Sequence, residues 1–227
     1  MKFTTFIVFL FLSEIISAQS YQEVLTAISK KYAKETPLSV QMEYQYFNSP
    51  TDKTIETSLK GAWVQTKSGT YFKIGKVEVV SQNGKSVTVD HDQMTIAISS
   101  LMANPMNEVF NPAGLDSLIK KGKVKVVSLP AQGDVKGLAI EQTGSNIVRT
   151  EIWYDVNTYD IKNASIVYQE WDGYGKRELK QRKIMIIYSN YKRTGVVLPK
   201  SLNDYILIKG KTFEIKPDWR NYKRIQS

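Results

Sequence analysis

Residues 38–99 read LSVQMEYQYFNSPTDKTIETSLKGAWVQTKSGTYFKIGKVEVVSQNGKSVTVDHDQMTIAIS, and their rhythm decides the fold class. In the first ten, Leu38, Val40, Met42, Tyr44 and Tyr46 alternate with Ser39, Gln41, Glu43 and Gln45. A period of two places successive side chains on opposite faces of a strand, so this is a strand with one apolar and one wet face. The next run repeats it, with Ile55, Thr57, Leu59, Gly61 and Trp63 opposite Glu56, Ser58 and Lys60. Breaks at NSPTDKT, Ser68-Gly69, Gly75, Asn83-Gly84 and Asp90–Gln93 divide the stretch into six antiparallel strands in chain order. Asn83-Gly84 suits a type I′ hairpin turn, whose two central residues both need positive φ. Such a sheet needs a cover for its apolar face.

The segments on either side supply candidates. Before it, SYQEVLTAISKKYAKE carries Tyr21, Val24, Leu25, Ile28 and Tyr32 at helical spacing. Ser20 and Glu23 are spaced as a capping box, and Pro37 marks the end of the helix. After it, LMANPMNEVFNPAGLDSLIKK breaks the strand rhythm. Leu115, Leu118 and Ile119 predict a short helix ended by Gly122, and Met102, Met106, Val109 and Phe110 make the part before it apolar but irregular. Methionines adapt their shape to core gaps and to binding surfaces alike, so this segment is a candidate lid. Strand signals resume with KVKVVSL, GLAIEQT, IVRTEIWYD, IKNASIVYQE and LKQRKIMIIYSNY. The expected fold is mainly β: one domain of about a dozen strands with two or three short helices.

The beginning of the chain indicates export. Lys2 precedes the apolar run FTTFIVFLFL, and Ile16-Ser17-Ala18 fits a signal-peptidase site, which predicts a signal peptide over 1–18 and a mature domain over 19–227. The run is too short to span a bilayer, which takes about twenty apolar residues. No cysteine occurs, so disulfides, thiolate metal sites and cysteine nucleophiles are excluded. The net charge of +9 is unchanged by removal of Lys2 and Glu14 with the signal peptide. For an exported chain this favours a solvated surface, an anionic membrane surface or an acidic envelope partner protein over nucleic acid.

Catalytic chemistry is thinly represented. There is no G-x-S-x-G elbow, phosphate-binding glycine loop or HExxH motif. His91, the one histidine, sits between Asp90 and Asp92 without a second ligand at metal-site spacing. Glu151 and Glu170 could be imagined as a carboxylate pair, and Trp153, Tyr154, Tyr159, Tyr168, Trp171 and Tyr174 as a stacking platform. The expectation is no enzyme activity, no cofactor and no metal.

Three short motifs carry a resemblance. Asn83-Gly84-Lys85 lies in VSQNGKSVTVDHDQMTIAIS, Asp155, Thr158 and Ile161 lie in IWYDVNTYDIKNASIVYQE, and Gly195, Leu198 and Pro199 lie in YSNYKRTGVVLPKSL. With the order of signal, helix, strands, helical insert and strands, they resemble the periplasmic outer-membrane lipoprotein carriers of the LolA type, the last motif resembling Bacteroidetes members. The resemblance implies a curved antiparallel half-barrel capped by helices, with lipid or lipoprotein acyl chains held between sheet and helices. The best-known carriers have an Arg-Pro dipeptide soon after the second strand, whose arginine helps control the lid. Here QTKSGTYFKIG offers only Lys67 and Lys73.

The leading expectation is therefore a periplasmic protein that binds an apolar or lipidated ligand. Its inward set would be Val40, Met42, Tyr44, Leu59, Trp63, Ile96 and Ile98, with Met102, Met106 and Phe110 as the lid. A non-catalytic envelope interaction module with a fully packed core, and a carboxylate-based hydrolase, stand as the alternatives.

Overall fold

In the computed structural model, residues 20–99, 117–171, 179–209 and 212–226 are described. The expected signal peptide and Met102, Met106, Phe110 and Tyr174 lie outside them. The expected helix appears as α1 (Tyr21–Lys34), where Ser20 Oγ accepts from the Glu23 amide at 3.2 Å and Glu23 returns a bond to the Ser20 amide at 3.3 Å. That box satisfies two of the amide donors a helix N-terminus leaves unpaired.

Six strands follow with the expected breaks: β1 (Leu38–Phe47), β2 (Thr57–Thr66), β3 (Gly69–Ile74), β4 (Val77–Gln82), β5 (Lys85–Asp90) and β6 (Thr95–Ser99). Asn83 and Gly84 both adopt positive φ, 51° and 72°, as the hairpin reading requires. Residues 117–120 are helical, and Gly122, at φ 68°, ends them: its amide bonds to the Ile119 carbonyl and that of Lys123 to Leu118. This is a Schellman closure, which only a left-handed residue permits. Five longer strands follow, β7 (Val124–Gln132), β8 (Val135–Gln142), β9 (Ile147–Asp155), β10 (Ile161–Trp171) and β11 (Leu179–Lys192). Asp155 Oδ1 takes the amides of Asn157 and Thr158 and so shapes the β9–β10 turn.

Between β11 and the last strand the chain forms a one-turn 3-10 helix at Leu202–Asp204, a separate hairpin of β12 (Ile206–Lys209) and β13 (Thr212–Ile215), and a second such turn at Pro217–Trp219. The first eleven strands and the last one, β14 (Lys223–Gln226), form one large curved open sheet in the order β14-β6-β5-β4-β3-β2-β1-β11-β10-β9-β8-β7. Every pairing is antiparallel except β14 with β6. Two meanders are thus joined where β1 meets β11.

The sheet carries a core on each face. On one face, Val24, Leu25, Ile28 and Tyr32 of α1 bury against Val40, Met42, Trp63, Leu138, Ile140, Ile152 and Ile186. On the other, Leu202, Tyr205 and Ile206 bury against Val64, Tyr71, Val80, Val87, Val89, Ile96 and Ile98. The register proves the separation: Val40 is paired with Trp63 and that with Phe72, whereas Val64 is paired with Tyr71, Tyr71 with Val80, Val80 with Val87 and Val87 with Ile98. We call these the helix face and the back face. The expectation of one wet face therefore holds for β1 as far as Glu43 and for the start of β2; it fails at Gln45 and Phe47, which are buried on the back face, and again from Val64 onward, where the chain's own C-terminal segment covers the back.

Candidate ligand-binding face

On the helix face, Leu38, Val40, Met42, Tyr44 and Tyr46 of β1 stand beside Thr57, Leu59, Gly61, Trp63 and Gln65 of β2. Thr70, Phe72 and Ile74 of β3 and Val77, Val79 and Ser81 of β4 continue the rows. None of these residues is charged. Gly61 is required by closeness: a Cβ there would stand 2.7 Å from the Lys73 carbonyl oxygen and 3.3 Å from the Tyr44 ring.

The expected site residues divide into three groups. Val40, Met42 and Trp63 are buried beneath α1, with Trp63 and Tyr32 rings 5.8 Å apart. Tyr44 and Leu59, opposite one another, are half-buried on the same face. Ile96 and Ile98 do not join them. They point to the back face, where Ile96 is 0% exposed under the C-terminal segment. A register of five antiparallel pairings carries them there, and the apolar alternation alone does not say which face of β6 continues which face of β1.

A tyrosine cluster fixes α1 to the sheet. Tyr191 donates to the Ile161 carbonyl at 2.6 Å, so the 2.9 Å contact between the Tyr191 and Tyr32 hydroxyls is donated by Tyr32. Tyr32 in turn accepts the Ile161 amide at 2.9 Å. Burial pushes the Tyr32 and Tyr44 phenols up to about 12, and it raises Tyr188 as well, so all three stay neutral. At the end of α1, Asp160 is buried and engages both Lys31, at 2.6 Å, and Arg193, at 2.5 Å, while Arg193 also bonds Glu35.

The other chemistry-bearing residues are used elsewhere. Buried Glu78 accepts from Tyr205 (2.8 Å) and Tyr71 (3.0 Å) and pairs with His91 Nε2 (3.0 Å), whose Nδ1 meets the Tyr222 hydroxyl at 2.8 Å. Trp219 packs on Tyr205, Tyr222 and His91. His91 thus fastens the C-terminal segment to the back face. Glu151 and Glu170 lie on opposite faces, each paired with an arginine, Arg149 and Arg182. The aromatic set is split likewise: Trp153 covers Gly137 on the back face, Tyr154 stacks on Tyr159 on the helix face, and Trp171 is exposed. Lys73 is opposite Glu78 on the back face, away from α1. Among the described residues, no group of three His, Asp or Glu side chains could hold a metal ion.

Sequence reasoning missed Glu78, Tyr188, Tyr191 and Arg193. The signal for Glu78 was its place as the lone acid in Val77-Glu78-Val79-Val80. For the others the signal was the sheer length of β11, which carries tyrosines to the end of α1.

No protein-family model matches the sequence, and no curated protein does. Solved structures are similar at low identity. A LolA superfamily protein from Nitrosomonas europaea is 10% identical with a TM-score of 0.33, the match covering 78% of this chain and 94% of that one. An uncharacterised conserved protein from Thermus thermophilus is 12% identical with a TM-score of 0.45, covering 79% and 90%. The MucA/MucB complex of Pseudomonas aeruginosa is 12% identical with a TM-score of 0.45, covering 78% of this chain and 58% of that chain. Among the described residues, no helix is long and apolar enough to cross a membrane.

Proposed function

We propose that this chain is an exported, periplasmic binding or carrier protein for an apolar ligand, a lipid or the acyl chains of a lipoprotein, held on the helix face. The observation that carries the reading is a contrast within the same strands. On the back face Tyr71, Val80 and Val87 are buried under the chain's own C-terminal segment. On the helix face Phe72, Ile74, Val77 and Val79 remain half-exposed, and none of the four is charged; the nearest acid across the ladder is Asp90, opposite Val77 at the end of β5. A buried acyl chain gains about 0.8 kcal/mol per methylene, so an uncharged apolar face suffices to hold one without a directional polar motif.

Tyr44 and Leu59 stand at the edge of the α1-covered core and would meet the ligand first. Met102, Met106 and Phe110 are retained as further contacts on their apolar chemistry alone. The closer likeness to Bacteroidetes-type carriers rests on Gly195, Leu198 and Pro199.

A fluorescent fatty acid tests the reading. Titrated into delipidated protein, it should gain emission saturably, and a Phe72→Asp variant should bind it at least about tenfold more weakly, because a charge would enter the apolar rows. Wild-type protein that takes up none of the probe contradicts the proposal.

A further inference from the structure

Exposed large apolar side chains are concentrated at one end of the large sheet. Trp171 is 65% and Leu179 49% exposed, and they face one another as the last pair of the β10–β11 hairpin. Ile147, at the start of β9, and Ile55, just before β2, lie at the same end and are also exposed. The hairpin projects past its neighbours. β1 stops at the pair Phe47–Lys183, four residues before Leu179, and β9 begins opposite Tyr168, three before Trp171. At about 3.4 Å per residue, the last pair of the hairpin stands about 10–14 Å beyond the ends of the adjacent strands. Leu118 is exposed at this end too, and from residue 117 to residue 125 the chain has four lysines, Lys120, Lys121, Lys123 and Lys125, all exposed, and no acid.

We infer that this end of the sheet docks on an anionic lipid bilayer, with Trp171 and Leu179 entering the headgroup layer and the Lys120–Lys125 run lying against lipid phosphates. Trp171 and Leu179 stand on the projecting hairpin and the other apolar groups are single residues spread along the same end, which suits a deformable, featureless surface better than the recessed complement of a protein partner. Tryptophan presents an apolar body with a polar N–H and is favoured at the membrane interface. Lysines within a Debye length of an anionic surface are each attracted to it. The net charge of +9 acts in the same direction. Tyr44, Tyr46 and Leu59 lie toward this same end of the helix face, so a docked molecule would present its apolar rows to the lipid source. That last step rests on the function proposed above, whereas the docking itself does not.

Cosedimentation of the mature chain, without added ligand, with vesicles of phosphatidylcholine alone or mixed with phosphatidylglycerol tests the docking. The expected result is partition onto the mixed vesicles that falls about tenfold or more in a Trp171→Ser/Leu179→Ser variant and in a Lys120→Gln/Lys121→Gln/Lys123→Gln variant. Both variants alter exposed positions, so melting and fatty-acid uptake should stay unchanged, which separates this test from that of the binding function. Absence of vesicle binding, or binding equal in wild type and variants, overturns the inference. A wild type that ignores vesicles but loses a crosslink to an envelope protein in the variants overturns the lipid assignment in favour of a protein.

Discussion

Trp63 and Val64 are neighbours in β2 that stabilise the molecule from opposite sides: Trp63 is buried beneath α1, and Val64 is buried beneath the C-terminal segment. Their replacement should therefore loosen different parts of the chain. Trp63→Ala should cost about 3–5 kcal/mol and Val64→Ala about 2 kcal/mol in urea unfolding. Amide exchange should rise first in α1 for the former and around Leu202–Ile206 for the latter. Faster exchange in α1 for both variants would contradict two separate cores.

Glu78 gives the back face an acid-sensitive clasp. Burial works to raise its carboxyl, but bonds from Tyr205, His91 and Tyr71, with attraction to His91, outweigh burial and hold it below the ordinary value of 4.5. A native carboxylate that binds its proton less readily than the unfolded one adds stability above pH 4.5, which is lost as pH falls through the lowered value. Glu78→Gln should cost about 2 kcal/mol at neutral pH and flatten the acid decline in thermal melts. A variant with an unchanged acid decline would remove Glu78 from this role.

Tyr32 closes the junction of α1 with β10 and β11. Tyr32→Phe leaves the Ile161 amide without its acceptor in a buried place, at an expected cost of about 1–3 kcal/mol. The loss should appear as faster exchange at the Ile161 amide, measured by NMR, with little change in β3–β6.

The neutral state of Tyr44 has an alkaline signature. Burial raises Tyr44 to about 12 from an ordinary 10, so folding favours its neutral form. Stability from this source is intact below pH 10 and disappears as pH rises through about 12. Tyr44→Phe should remove one phenol from the late part of an ultraviolet titration of the folded protein. An unchanged late titration would contradict the raised phenol of a half-buried Tyr44.

Local patterns make much of the fold legible. The stripe from Val24 to Tyr32, the capping pair Ser20 and Glu23, the Asn83-Gly84 turn and the five breaks before Ser99 all report short-range physics. The second core is not legible. Tyr205 stands more than a hundred residues after the valines it covers, and nothing in VEVVSQ or KSVTVD says which of two apolar faces will be covered by which segment. For that reason the alternation alone assigns Ile96 and Ile98 to the wrong face. Val40, Met42, Tyr44, Leu59 and Trp63 do share a face because they belong to one hairpin, where register follows directly from pairing. His91 and Glu78 give no sign of partnership in the sequence, since a hairpin turn and the whole of β5 separate them.

Photo-crosslinking tests the central claim most directly. A diazirine-bearing fatty acid, activated on the delipidated protein of residues 19–227 and mapped by peptide mass spectrometry, should label helix-face residues of β1–β3, foremost Tyr44, Leu59 and Phe72. Labelling that is absent, or that falls on Val80, Val87 and the rest of the back face, would contradict the account.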